Sequence, residues 1–247
     1  MLAPMLRDLR RPSTRGLVRA TSALALVGAL SGCAGIGQPQ PYDSPGINGL
    51  VIPTPTPDPD DFVDVVDNPW LPLEAGATWR YEVTDAGRSV GTISAEVLDD
   101  TTSVAGLDAT GVRTTTDIDG DTTRETSFYA QDEDGNVWLV GADGDDDAGG
   151  VDWRAGENGA EAGLAMPAHP RLGDGWLAYV VPGLPEAPIR VEDQSQEMVQ
   201  VLQTGSAGTG WSEAGATTRT VYEKGAGLVS VVDLDAGWVA TRDRSGD

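Results

Sequence analysis

From residue 78 onward the chain falls into short stretches rich in Val, Thr, Tyr and Trp, several of them alternating, separated by Gly, Asp and Pro, which points to antiparallel strands. In "TWRYEV" (78–83), Trp79, Tyr81 and Val83 fall on one face and Thr78, Arg80 and Glu82 on the other. A period of two with one apolar face marks a half-buried strand. "TISAEV" (92–97) repeats the pattern with Ile93, Ala95 and Val97. "GVRTTTDI" (111–118) and "TTRETSFYA" (122–130) flank Asp119-Gly120, a dipeptide that supplies the positive φ of a tight hairpin turn. "DEDGN" leads from the second of these into "VWLVG" (137–141), so another hairpin follows directly. Further strands are predicted at 176–181, 188–192, 197–203, 216–223, 227–233 and 237–242. No stretch holds a capped 3.6-residue period, and only the region around 155–165 admits a short helix. The expected fold is all-β: a single antiparallel barrel or sandwich of about eight to ten strands.

The first 61 residues read differently. Residues 1–19 carry Arg7, Arg10, Arg11, Arg15 and Arg19 against one acid, Asp8, and the uncharged "ATSALALVGAL" (20–30) follows. A basic start, a short apolar run and small residues at a cut site make a secretory signal peptide. The run is too short for a membrane-spanning helix, which needs about 20 apolar residues. Leu30-Ser31-Gly32-Cys33 then resembles the bacterial lipobox, and Cys33 is the only cysteine in the chain. The resemblance implies removal of residues 1–32 and attachment of diacylglycerol to the Cys33 thiol, with the new amino terminus open to acylation. At about 0.8 kcal/mol per buried methylene, two acyl chains give stable anchoring. Residues 33–61, rich in Pro, Gly and Asp, form a tether whose "PTPTPDPD" part should run extended, at about 3.1 Å per residue. The β domain is expected over 62–243, with a short tail at 244–247. The expected location is the outer face of the cytoplasmic membrane, within the cell envelope.

Charge removes whole classes of partner. The chain carries a formal charge of -23 at pH 7, and Lys224 is its only lysine. Cleavage before Cys33 would remove five arginines and one aspartate, leaving the remainder more acidic still. Such a field repels nucleic acid, whose binding rests on neutralising phosphates with Lys and Arg. It also repels an anionic bilayer surface, so the membrane is expected as a partner only through the lipid on Cys33.

Four segments resemble, in order, a pattern found in a group of bacterial secreted lipoproteins of unknown function. They are "NPWLPLEAGATWRY" (68–81), "FYAQDEDGNVWLVG" (128–141), "MPAHPRLGD" (166–174) and "KGAGLV" (224–229). Each reads as a turn or the start of a strand, so the resemblance implies a fold and carries no catalytic residue. The acid-rich "GADGDDDAGG" and the pair Glu223-Lys224 depart from the pattern.

Catalytic constellations are sparse. His169, the only histidine, sits in a turn, and no G-x-S-x-G elbow presents a serine. One histidine and a lipidated cysteine cannot build a His/Cys metal site. "DIDGD" and "DEDGN" place glycine fourth rather than sixth, which suits hairpin turns and not EF-hand loops. No catalytic residue, metal ligand or cofactor is expected. Among the aromatics, Trp79, Tyr81, Phe128, Trp138 and Trp176 fall in strand-like stretches and suit a core. Trp153 and Trp211 lie in Gly-rich surroundings and are the candidates for a binding rim. The expected role is non-catalytic: binding a small apolar or sugar ligand, or maintaining the envelope. The alternative is an interaction protein whose acidic surface meets a basic partner, and a carboxylate-dependent hydrolase stands third.

Overall fold

The computed structural model describes residues 58–144, 150–205 and 215–244, all within one unit of the chain. They form fifteen strands and a single 3₁₀ turn at Pro59–Asp61, with no α-helix among the described residues. The strands are β1 (Phe62–Val63), β2 (Thr78–Asp85), β3 (Arg88–Val104), β4 (Leu107–Ile118), β5 (Asp121–Asp132), β6 (Val137–Asp143), β7 (Trp153–Arg154) and β8 (Glu161–Met166). They continue with β9 (Gly175–Leu177), β10 (Tyr179–Val180), β11 (Pro188–Gln194), β12 (Met198–Gln203), β13 (Thr218–Glu223), β14 (Gly227–Asp233) and β15 (Trp238–Arg242). Every pairing is antiparallel, and the hydrogen-bonded order is β10-β8-β6-β5-β4-β3-β2-β15-β14-β13-β12-β11-β9. The two ends of that order, β10 and β9, are separated in the chain by Ala178 alone. The segment 175–180 pairs with β11 through Gly175, Trp176 and Leu177, then with β8 through Tyr179 and Val180. One short stretch therefore joins both margins of the sheet, and the all-β expectation resolves into a nearly closed barrel.

The hairpins form where the turn chemistry placed them. Asp119 and Gly120 both take positive φ (54° and 90°) between Ile118 and Asp121, which are paired. At the next turn the Asp132 carboxylate accepts from the Asn136 backbone N–H (2.8 Å) and from the Trp138 indole N–H (2.8 Å). These bonds close the hairpin around Gly135, whose φ of 85° a side chain would strain.

The sequence expectation differs from the structure in two places. The sheet contains more strands than eight to ten: β1 and β7 have only two residues and no readable period, β8 lies where a short helix was admitted, and the strand expected at 176–181 is divided into β9 and β10 around Ala178. The stretch around 155–165 admits no helix: Glu161–Met166 is β8, pairing with β6 on one side and β10 on the other. Ala162, Gly163, Leu164 and Met166 are all buried, so both faces are covered and the period of two vanishes.

Two cores and a lumen result. On β5, Ser127 and Tyr129 point into the barrel, while Phe128 and Ala130 pack outward with Trp138, Val140, Ala162 and Leu164. A register shift between Val97 and Thr101 carries the tip of the β3–β4 hairpin over this outer face, where Val104, Leu107 and Ala109 cover it. Beyond Thr110 β4 leaves β5, and β1 pairs there instead (Phe62 with Asp132, Val63 with Gln131). Inside the barrel, Val83, Ile93, Val231, Trp238 and Ala240 pack below Tyr81 and fill one end.

Candidate functional site

The other end of the barrel is capped by residues 66–73. Val66 and Leu73 bridge the base of this loop, and Asn68 holds its centre. The Asn68 Nδ2 donates to the carbonyls of Gly135 (2.8 Å) and Pro167 (3.2 Å), and its Oδ1 accepts from the backbone of Trp70 (2.8 Å). The Gln131 Oε1 accepts from the Asn68 N–H (2.8 Å), while its Nε2 donates to Asp67 (2.7 Å). Asn136 Oδ1 accepts from the Ala168 N–H (3.0 Å), and the Gly225 N–H donates to the Pro69 carbonyl (2.6 Å). Stretches 68–81, 128–141, 166–174 and 224–229 meet here, and side chains of the first two with backbone groups of the others fasten the cap.

Under the cap lies a lumen of about 190 Å³. Leu71, Pro72 and Leu73 of the cap, with Trp79, Val112, Leu139, Ala165 and Ile189 of the barrel, give it an apolar side. The other side is polar: Thr114 on β4, Glu125, Ser127 and Tyr129 on β5, and Thr218, Thr220 and Tyr222 on β13. Thr114, Thr218 and Thr220 are 7–8% exposed, and no hydrogen bond to their hydroxyls or to that of Tyr222 exists among the described residues. The hydroxyls of these three threonines and of the half-buried Tyr222 open onto the cavity and give it a polar wall.

The phenols report how dry this wall is. Burial raises the Tyr129 hydroxyl from its ordinary value of 10 up to about 12, with Ser127 bonding opposing the rise and the Glu125 charge adding to it. Burial also raises Tyr222, helped by the nearby phenols of Tyr129 and Tyr81. Tyr81, whose hydroxyl donates to the Leu228 carbonyl at 3.0 Å, is raised by burial against the opposing charge of Arg242. A pKa raised in the folded state gives stability that is whole below pH 10 and lost as pH climbs through 12. We expect these three tyrosines to ionise together with loss of the strand signal above about pH 11, followed by tyrosinate absorbance and circular dichroism. Separate titration near pH 10 with the fold intact would show the lumen to be wet.

Two further depressions lie outside. A groove of about 610 Å³ runs over Arg80, Glu96, Arg113 and Asp243. It is larger than the lumen but lined by exposed charges, with Arg113 and Glu96 already paired at 3.4 Å. A second, of about 460 Å³, follows the cap between Asp67, His169, Arg171 and Lys224.

Trp153 is not on a rim. It is 9% exposed in β7, with its ring 6.0 Å from that of Tyr179, which does line the lumen. The neighbouring Arg154 fixes this corner, with its guanidinium 4.3 Å over Phe128 and 2.7 Å from Asp143. Trp211, Cys33 and most of the acid-rich loop, 145–149, lie outside the described residues. Trp79, expected in the core, is half-buried: it packs against the core and also lines the lumen. The polar wall was missed altogether. Its sequence signal is the alternation Glu125, Ser127, Tyr129 and Thr218, Thr220, Tyr222, which puts polar residues on a face the barrel turns inward. Among the described residues no cluster of His, Cys, Asp and Glu is placed to hold a metal, and no helix is long and apolar enough to cross a membrane. Comparison of the chain with protein-family models, with curated proteins and with solved structures gave no match.

Proposed function

We propose that the chain is a lipid-anchored extracytoplasmic binding protein that holds a small amphipathic ligand in its barrel lumen and does no chemistry on it. The observation that carries this reading is the lumen itself: an apolar side facing a wall of threonine, serine and tyrosine hydroxyls. Its volume is below the roughly 300–1,000 Å³ of sites for drug-sized molecules, so the ligand is small. Aromatic rings from Trp79, Tyr81, Tyr129, Tyr179 and Tyr222 surround it, as a binding module requires. A hydrolase acting through paired acids needs a second carboxylate, and the described lining contains one, Glu125. An interaction surface needs a contiguous apolar patch; the exposed large apolar residues Val65, Val151, Leu172, Val180 and Leu234 sit on five separate segments.

Native mass spectrometry of the protein purified from its own envelope tests the binding reading. A small-molecule adduct is expected, and Ala165→Leu, which fills the lumen, should lose it while keeping the wild-type strand spectrum. An adduct retained by that variant, or a bare mass in the wild type, would overturn the reading. The anchor is tested separately. Cys33→Ser is expected to move the protein from the membrane to the soluble fraction and to abolish labelling by a fatty-acid analogue. Retention on membranes in high salt would rule out the lipid anchor.

A further inference from the structure

A lumen that holds a ligand needs a way in, and both ends of the barrel are occupied. Asn68, Gln131 and Asn136 fasten the cap, while Val83, Ile93, Val231, Trp238 and Ala240 fill the opposite end. The wall between them is held by long ladders through most of its circuit. Between β8 and β10 the ladder has only two pairs, Tyr179 with Ala162 and Val180 with Glu161. Every other ladder along the hydrogen-bonded order has three pairs or more. This shortest seam also lies on the cavity, since Ala165 of β8, Ala178 and Tyr179 line the lumen.

Two features of the same stretch favour its opening. The Trp176 Nε1 is buried and has no hydrogen-bond partner among the described residues. A buried donor left unbonded weighs against the closed arrangement, and parting the seam returns it to water. Gly163 lies directly under the backbone of Ala178 and Tyr179, where a Cβ has no room. The β10 backbone therefore rests on a residue with no side chain to interlock with it. Elements that move to admit ligands are drawn from the least stably held parts of a fold, and here that part borders the cavity.

We infer that the seam between β8 and β10 is the portal of the lumen: β10 lifts from β8 to admit and release the ligand, while β9 stays on β11. This rests on the reading of the lumen as a binding site. Crosslinking the seam tests it. Glu161 and Val180 are directly opposed and neither lines the lumen. Opposed residues of antiparallel strands have Cα atoms about 4.5–5.5 Å apart, within reach of a disulfide. Glu161→Cys with Val180→Cys is made in the full chain carrying Cys33→Ser, so that no third thiol competes. Ser230→Cys with Thr241→Cys, across the β14–β15 ladder, is the control.

The probe is n-hexanol, with its rates of entry and exit read by NMR exchange measurements. Oxidising the seam pair is expected to slow both rates at least tenfold and to leave Kd unchanged, because a barrier acts on entry and exit alike. Reduction should restore both rates, and the control crosslink should alter neither. Unchanged rates in the oxidised seam variant, or a weaker Kd with entry as fast as before, would overturn the portal and leave the binding site in place. Absence of hexanol binding to the reduced chain would overturn the site and the portal with it. Amide hydrogen exchange in the chain without added cysteines decides the matter even if the variant fails to fold. The amides joining β8 to β10 are expected to exchange at least tenfold faster than those joining β5 to β6, and equal protection would overturn the portal.

Discussion

Replacing Gly163 by alanine is expected to destabilise the barrel by about 3 kcal/mol, the upper range for forcing extra atoms into a packed interior. A Cβ at this position would fall inside the backbone of Ala178 and Tyr179, well within van der Waals contact. A flexible side chain could swing aside, but a peptide unit in a paired strand cannot. The collision also lands on the segment that joins the two margins of the sheet, so relief requires the seam between β8 and β10 to open. For a domain of this size the melting midpoint should fall by roughly 10 °C, read by circular dichroism. Gly120→Asn is the control: the turn is open, nothing lies within reach of a Cβ, and asparagine tolerates positive φ. Equal midpoints for the two variants would mean that β8 and β10 do not close the barrel as described.

Asn68→Asp is expected to cost about 3–5 kcal/mol, more than its near-identical shape suggests. The side chain is 1% exposed and donates to two carbonyls while accepting from the backbone of Trp70 and Leu71. The carboxylate keeps the acceptor role but loses both donors, and it sets a buried negative charge against two carbonyl oxygens. Breaking a buried charged or hydrogen-bonded arrangement on one side leaves the other side desolvated and unpaired. Asn68→Ala should cost less, about 2–3 kcal/mol, because it introduces no charge. Urea unfolding measures the loss, and hydrogen exchange at Leu71 and Leu73 localises it. Faster exchange at those amides ahead of the barrel strands is expected, since the cap should open first. Native stability in the Asp variant would show that Asn68 does not fasten the cap.

How much of this was readable depended on whether a strand had one face in water. β2 and β14 alternate because one side is buried and the other is not, so "TWRYEV" announces itself. β8 is covered on both sides, and its Ala, Gly and Leu residues carry no period to read. The Asp-Gly turns were legible because the φ they need is a local property. The lumen was not, because nothing local distinguishes the inward face of β5 from the outward one. Glu125, Ser127 and Tyr129 look like a solvent face, and Phe128 with Ala130 looks like the core. The tip of the β3–β4 hairpin reverses that sense by covering the outer side. Trp153 fails for a related reason: its glycine-rich neighbourhood suggested a loop, while two residues of β7 pairing and the ring of Tyr179 bury it.

The strand order also sets a timetable. β2 pairs with β15, joining Val83 to Ala240 and Thr84 to Val239 across nearly the whole length of the domain. Pairings this distant in sequence are slow, because the chain must give up the freedom of a long loop before the contact stabilises anything. While synthesis proceeds from the amino terminus, β2 therefore has a partner on one side only. The barrel cannot finish until its last strand has left the ribosome. If the chain is exported as proposed, such delay is useful, because a translocation channel takes unfolded chains and β2 cannot pair with β15 until both have passed through it.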